Sequence, residues 1–138
     1  MDTEDSAVNG LWELLLENGK DMLPGVENGG RVGVLPKRQL AESSGKMIVW
    51  EKTTSGVTAS ECTFDGFQGA DVDLLVVAEE KCLLNLWSDP RKDPIRKLRE
   101  GIRMGEAMVY FLRAKEDLLD KGYEDLTELL GLPRQGCI

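Results

Sequence analysis

The chain has no histidine and only three cysteines, Cys62, Cys82 and Cys137, among its 138 residues. Without histidine, the chain by itself cannot assemble a Ser-His-Asp or Cys-His catalytic arrangement. An odd number of dispersed cysteines with no CxxC pair argues against a disulfide framework and against a structural zinc site. The sequence therefore predicts no metal site and no bound cofactor, and it contains no catalytic constellation that would identify an enzyme.

Long apolar runs are also missing. The run from Leu74 to Ala78 is far shorter than the roughly 18 consecutive apolar residues that a membrane-spanning helix requires. The segment from Met1 to Ser6 contains three acidic residues and no basic one, unlike the positively charged start of a secretion signal or transit peptide. We therefore expect a cytoplasmic protein that has no membrane partner.

Basic residues are scarce, since 17 lysines and arginines against 25 aspartates and glutamates give a net charge of −8. This balance argues against a protein whose whole surface binds nucleic acid or anionic membrane. The content of 41% hydrophobic and 30% charged residues is typical of a globular domain. The length predicts a single α+β domain over residues 1–130, followed by a flexible C-terminal tail over residues 131–138.

Hydrophobic patterning predicts an N-terminal helix, about five strands, one long C-terminal helix and a short final helix. The predicted strands are residues 31–35, 46–52, 57–64, 72–78 and 82–87. The second and third strands form a hairpin across the turn at 53–56, and the run at 72–78, which is apolar except for Asp73, is typical of a central strand. Strands joined mostly by hairpin-sized turns predict an antiparallel or mixed sheet with helices on one face, which is the α+β class.

The long helix is predicted to begin at Pro94, with Asp93 as its N-cap, and to end at Gly122. Residues on one face of this helix recur at spacings of three and four. They are Ile95, Leu98, Ile102, Gly105, Val109 and Leu112. A short final helix follows at residues 124–130.

Six basic residues lie within thirteen positions around the start of the long helix. They are Arg91, Lys92, Arg96, Lys97, Arg99 and Arg103. The helix dipole disfavours positive charge there by about 0.3–1 kcal/mol per charge. One interpretation is a surface that binds an acidic protein, a phosphate or a nucleic-acid backbone. The other is a solvated face, or an electrostatic match to the chain's own acidic segments at 1–30 and 116–128. No aromatic residues alternate with these bases, which disfavours a binder of single-stranded nucleic acid.

Gly101 and Gly105 lie four residues apart on the predicted helix, where each costs about 1 kcal/mol relative to alanine. Small residues at this spacing let another backbone approach closely. Two interpretations stay open. The helix packs closely on the sheet, or the chain forms a homodimer through the Gly101/Gly105 face.

The C-terminal segment contains a candidate reactive thiol. Pro133 and the glycines around it predict a mobile arm that exposes Cys137. A thiol on such an arm can enter a partner's active site and accept a sulfur atom or form a mixed disulfide. The residues Gly131-Leu132-Pro133 and Cys137-Ile138 resemble the C-terminus of the DsrC/TusE sulfur-carrier family. The resemblance is confined to this tail and implies that Cys137 carries a persulfide or forms a disulfide.

Other polar and sulfur-containing side chains receive simpler interpretations. Cys62 and Cys82 fall in predicted strands and are typical of small core residues. Asp65, Asp71 and Asp73 surround a glycine-rich loop and could bind a divalent cation, but they lack EF-hand spacing. A solvated loop is the simpler interpretation of these three acids.

These features predict a protein-interaction subunit with an accessory or thiol-carrier role. The basic start of the long helix would provide the docking surface, and Cys137 would provide the chemistry. Two alternatives stay open. One is a non-catalytic regulatory or structural adaptor that dimerises through the glycine face, and the other is a nucleic-acid-associated factor that uses the bases at 91–103.

Overall fold

The computed structural model describes residues 13–18, 22–40, 45–64, 66, 69–88 and 93–132. The strands are β1 (Arg31–Pro36), β2 (Gly45–Thr53), β3 (Gly56–Phe64), β4 (Leu74–Ala78) and β5 (Ala107–Phe111). The helices are α1 (residues 13–17), α2 (Lys37–Leu40), α3 (Glu80–Leu84), α4 (Pro94–Arg103), α5 (Lys115–Asp120) and α6 (Glu124–Leu129). The predicted α+β class is confirmed. Of the helices described, none has both the length and the apolar character needed to cross a membrane.

The five strands form one mixed sheet with the order β3-β2-β1-β4-β5. β2 is antiparallel to β1 and β3, and β5 is antiparallel to β4, whereas β1 and β4 run parallel. The predicted hairpin of β2 and β3 is confirmed, and its turn ends at Gly56, which has a φ of +126°. Because β3 is an edge strand, the chain must cross the sheet before β4 begins.

The described residues 70 and 72 of the crossing segment pack on the sheet face that carries the smaller of two buried clusters. Ala70 and Val72 belong to this cluster, and its other buried members are Leu35, Met47, Val49, Phe64, Leu75 and Val77. A Cβ atom added to Gly33 of β1 would lie 2.7 Å from Sδ of Met47 and 3.3 Å from Cγ2 of Val72. Glycine is therefore required at this position by the close packing over β1.

The opposite sheet face carries the larger core, to which most of the helices contribute. Their buried residues include Leu15, Cys82, Leu83, Ile95, Leu98, Leu118 and Leu126. Trp50 of β2 holds α1, because its indole N–H donates a hydrogen bond of 2.9 Å to the carbonyl oxygen of Leu15. The Trp50 ring also meets Trp87 edge-on, with the ring centroids 6.4 Å apart. Burial of each large apolar side chain contributes about 1.5–3 kcal/mol, which fixes these helices on the sheet.

The predicted long helix over residues 94–122 is wrong. α4 ends at Arg103, and the remaining segment contains β5 and the short helix α5. Gly105 has a φ of +78°. Its N–H donates to the carbonyl of Ile102, and the next N–H along the chain donates to the carbonyl of Gly101. These are the hydrogen bonds of a Schellman motif, which ends a helix. The β-branched and aromatic residues of β5 then favour a strand.

Two strand predictions are also corrected. Residues 82–87, predicted as the fifth strand, belong to α3 and the turn after it. Glu80, Lys81 and the two leucines of α3 are good helix formers, which explains this outcome. The apolar run at 72–78 contains β4, but the centre of the sheet is β1, where five of six residues are buried.

α5 and α6 end in the same way as α4. Gly122, predicted as a helix stop, ends α5 with a φ of +80°, and Gly131 ends α6 with a φ of +73°. The N–H of Leu132 donates to the carbonyl oxygen of Thr127, and the Leu132 side chain packs against the larger core. The folded body therefore extends two residues into the segment 131–138 that the sequence predicted as a tail.

Candidate functional site

The basic segment predicted as a docking surface lies largely on α4. Pro94 takes the first helical position, and the Asp93 carboxylate caps the helix by accepting a hydrogen bond of 2.9 Å from the N–H of Arg96. Arg91 and Lys92 lie outside the described residues. The structure places the other four predicted bases on α4, namely Arg96, Lys97, Arg99 and Arg103.

Apolar and basic side chains occupy different sides of α4. Ile95 and Leu98 are buried in the core, whereas Arg96, Arg99 and Arg103 are exposed and share one face because of their spacing. Within the described part of the chain, none of these three guanidinium groups forms an ion pair. This row of three arginines is the basic face of α4. The Arg99 side chain also packs against Gly131 at the end of α6, where a Cβ atom added to the glycine would lie 3.1 Å from Nε of Arg99.

A surface cavity of about 510 Å³ lies beside the N-terminal half of α4. Among the described residues, its lining is formed by Pro24, Asp93, Pro94, Ile95, Arg96, Arg99 and Leu129. Most of these side chains are apolar, and Leu129 of α6 is 49% exposed. The volume lies within the range of about 300–1,000 Å³ that is usual for ligand-binding pockets. We call this space the α4 cavity, and it combines an open apolar surface with two arginines of the basic face.

The two glycines of the predicted close-packing stripe have different roles. Gly101 is buried against α3, and an added Cβ atom would lie 2.6 Å from Sγ of Cys82. Gly105 lies beyond the end of α4, where an added Cβ atom would meet no neighbouring atom within 4 Å. Close packing therefore explains Gly101, whose neighbours are Cys82 of α3 and, at 3.7 Å from the added Cβ atom, Ala107 of β5 in the sheet. A homodimer through this pair would lack the continuous helical face from which it was inferred.

Of the two described thiols, Cys82 is poorly suited to nucleophilic chemistry. Cys82 is buried, and Cys62 is half-buried on β3. Burial, together with the nearby charges of Glu106 and Glu79, raises the pKa of the Cys82 thiol, which keeps it protonated near neutral pH. Cys137, the predicted carrier thiol, lies outside the described residues.

Asp73, which the sequence placed in a solvated or cation-binding loop, is only 2% exposed. Its carboxylate accepts hydrogen bonds from the backbone N–H of Arg31 at 3.0 Å, the hydroxyl of Tyr123 at 2.8 Å and Nζ of Lys121 at 2.9 Å. Nε of Arg113 lies 3.4 Å away. These partners come from β1, the β5–α5 connection and the α5–α6 turn. Asp73 therefore connects the start of β4 to three other segments.

The electrostatics of this cluster favour one protonation state. Burial by itself raises the pKa of Asp73, but hydrogen bonds from Arg31, Lys121 and Tyr123 outweigh burial and hold that pKa below its usual value. Burial and the adjacent Asp73 carboxylate raise the pKa of Tyr123 well above its ordinary value. At neutral pH the carboxylate is therefore ionised and the phenol neutral. This arrangement supports a stabilising role and not proton transfer.

The two described acids of the loop, Asp71 and Asp73, are already paired with basic side chains. Asp71 is exposed and pairs with Arg31 at 3.1 Å and with Arg113 at 3.2 Å, and Asp73 is occupied as described above. Asp65 lies outside the described residues. In the part of the chain that the structure describes, no cluster of three or more cysteine, aspartate or glutamate side chains is placed to hold a metal ion.

Sequence reasoning missed two residues of the α4 cavity, Pro24 and Leu129. Pro24 suggested only the end of the first helix, and Leu129 only an apolar position of the final helix. Neither residue lies in a local sequence pattern that predicts a cavity, because the cavity forms where segments distant in sequence meet. For Asp73 a usable signal exists, since an acid directly before a continuous apolar strand is a candidate for a buried, partnered carboxylate.

Comparisons with known proteins do not place the chain in a family. No family model matches it, and no curated protein matches it. One similar solved structure is that of a conserved hypothetical protein from Thermus thermophilus, whose description gives sterol carrier protein as a possibility. The two chains share 12% sequence identity with a TM-score of 0.41, over 91% of this chain and 85% of that chain. A likeness at this level supports no conclusion about the function of this chain.

Proposed function

We propose that the chain is a cytoplasmic accessory protein that binds an acidic segment of a partner protein through the basic face of α4. The observation that carries this proposal is the row of Arg96, Arg99 and Arg103, which is exposed and has no ion pair among the described residues. The chain as a whole has a net charge of −8. An acidic partner is therefore attracted to this face and repelled elsewhere, which orients the complex.

The second part of the proposal assigns Cys137 as a carrier thiol. It is supported by the resemblance of the segment from Gly131 to Ile138 to the sulfur-carrier tail, and by the unsuitability of the buried Cys82. The Cys137 thiolate would attack the outer sulfur of a donor protein's persulfide. A new S–S bond forms on Cys137 and the donor thiolate leaves, so that the transfer requires no external oxidant.

Photo-cross-linking tests the docking part. Met104, which is 76% exposed directly after Arg103, is replaced with a benzophenone-bearing residue, and Leu119 on α5, 49% exposed, provides the matched control position. In lysate of the source cells, only the probe at Met104 should capture a partner peptide rich in aspartate and glutamate. The pair of changes Arg99→Glu and Arg103→Glu should abolish this adduct.

Two outcomes would contradict the docking proposal. One is an adduct that forms equally at both positions or survives the charge reversal, because the contact would then not depend on the basic face. The other is tight, salt-dependent binding of generic DNA or RNA through the same arginines, which would favour the nucleic-acid-associated alternative.

Intact-mass measurements test the thiol part. Iodoacetamide should alkylate Cys137 faster than a model peptide thiol, since Arg134 lies close in sequence and favours the thiolate. Incubation with a protein persulfide should add one sulfur atom to the chain. Cys137→Ser should abolish this gain, and Cys62→Ser should preserve it. If the alkylation rate is ordinary and the chain gains no sulfur, the carrier role is wrong and only the docking part of the proposal remains.

A further inference from the structure

We propose that the α4 cavity receives an apolar side chain of the acidic partner segment. The site would then recognise a hydrophobic anchor flanked by carboxylates, and not negative charge alone. This inference rests on the proposed docking function and specifies the chemistry of the partner that the basic face binds.

Apolar side chains form part of the described lining of the α4 cavity. Pro24, Ile95 and Leu129 come from three separate segments that meet at this cavity. Leu129 is 49% exposed, whereas Leu126, one turn earlier on α6, is 3% exposed in the core. An apolar side chain that entered the cavity would remove the open surface of Leu129 from water, and this transfer is favourable in proportion to the area buried.

The same lining also carries positive charge. Arg96 and Arg99 line the cavity, and neither has an ion-pair partner among the residues described. The acid of the lining, Asp93, already caps α4 through the N–H of Arg96. Carboxylates that flank an inserted side chain can therefore pair with the two guanidinium groups, whose planar shape suits bidentate contacts.

Charge and size distinguish this cavity from two smaller cavities on the described surface. One, of about 180 Å³, is lined in part by Glu100 and Glu106, and the other, of about 220 Å³, by Glu124 and Glu128. The described lining of each has more acidic than basic residues, which would repel an acidic segment. The α4 cavity has more than twice the volume of either one and borders the basic face, so it matches the proposed partner in both respects.

Two acetylated five-residue peptides test the inference. One has a leucine between two pairs of acidic residues, and the other has a serine in place of that leucine. In NMR titrations of the isotope-labelled chain, the leucine peptide should bind about tenfold more tightly, as expected for burial of one leucine side chain. The largest chemical-shift changes should occur around Ile95 and Leu129.

Matched variants separate the anchor from the charge. Leu129→Ser should lower the affinity of the leucine peptide to that of the serine peptide, whereas Leu119→Ser, at an equally exposed leucine of α5, should change neither affinity. Arg99→Gln should weaken the binding of both peptides. Equal binding of the two peptides, still weakened by Arg99→Gln, would overturn the anchor and leave the docking function intact. Binding that does not respond to Arg99→Gln would overturn both.

Discussion

At the residue scale, the Asp73 carboxylate has more consequences for the fold than its position in a loop suggests. A carboxylate that is 2% exposed is tolerated only when it is paired and hydrogen-bonded. Asp73 meets this condition through Arg31, Lys121 and Tyr123. Nε of Arg31, by contrast, is buried without a hydrogen-bond partner, and the nearest paired carboxylate oxygen, on Glu51, lies 3.8 Å away. Within this cluster, the hydrogen-bonding capacity of the carboxylate is satisfied, whereas that of the guanidinium group is satisfied only in part.

Replacement of Asp73 should therefore destabilise the protein. We expect Asp73→Asn to lower the free energy of unfolding by about 2–3 kcal/mol, less than the roughly 3–5 kcal/mol of a fully buried pair, because Lys121 and Arg113 reach solvent. Asp71→Asn is the control. The Asp71 side chain is 79% exposed, so its loss should cost less than about 1 kcal/mol. Urea unfolding measures both values, and equal effects would contradict the assigned role of Asp73.

The pKa of Asp73 also predicts how stability changes with pH. Because the folded-state pKa is lowered, the contribution of this group is fully present above its unfolded value of about 3.9 and is lost as the pH falls through the folded value. The wild-type free energy of unfolding should therefore decrease more steeply below about pH 5 than that of Asp73→Asn. Urea midpoints across this acid range provide the test, and parallel curves would contradict the prediction.

At the element scale, α4 owes its length and position to its glycines. Gly101 permits the close approach of α3, and Gly105 allows the positive φ at which the helix ends. The apolar spacing of three and four continues past Gly105 and fits a helix, yet the turn places the following residues in β5. Periodicity over so few residues cannot distinguish these outcomes, because β5 gains backbone hydrogen bonds with β4 that an isolated helix would not have.

Alanine normally stabilises a helix relative to glycine, but at position 101 we expect the opposite effect. In an exposed helix Gly→Ala stabilises by about 1 kcal/mol, but Gly101→Ala should destabilise by about 1–3 kcal/mol, since the new methyl group would collide with Sγ of Cys82. Addition of Cys82→Ala should recover part of this loss. Gly105→Ala should cost about 1–2 kcal/mol through its positive φ, without coupling to position 82. Additive effects at Gly101 and Cys82, measured by urea unfolding, would contradict the packing argument.

At the scale of the whole molecule, stability should be distributed according to strand order. β1 is paired on both sides and buried, whereas β3 is a nine-residue edge strand with several exposed residues. Hydrogen exchange should therefore be slowest in β1 and β4 and fastest in β3, particularly at amides that point away from β2. Mass spectrometry of peptic fragments can measure this order. Protection of β3 equal to that of β1 would mean that another chain or segment covers this edge.

The sequence also determined much of the local structure. The hairpin of β2 and β3, the apolar strand β4, the Asp93 cap with Pro94, and the helix stop at Gly122 depend on nearby residues, and all of them were predicted. The bases of α4 were identified for the same reason, since a run of charge is visible in sequence. The α+β class followed from the order of these local patterns.

The tertiary structure alone decided which distant residues meet. Asp73 and Tyr123 lie fifty positions apart, and Pro24 meets Leu129 at the α4 cavity only because α6 packs beside α4. The tertiary structure also decided that residues 107–111 form a strand, because their backbone groups form hydrogen bonds with β4. Local propensity acts over a few residues, whereas burial and strand pairing depend on the path of the whole chain. The basic residues of α4 were therefore predicted from the sequence, and the cavity beside them was not.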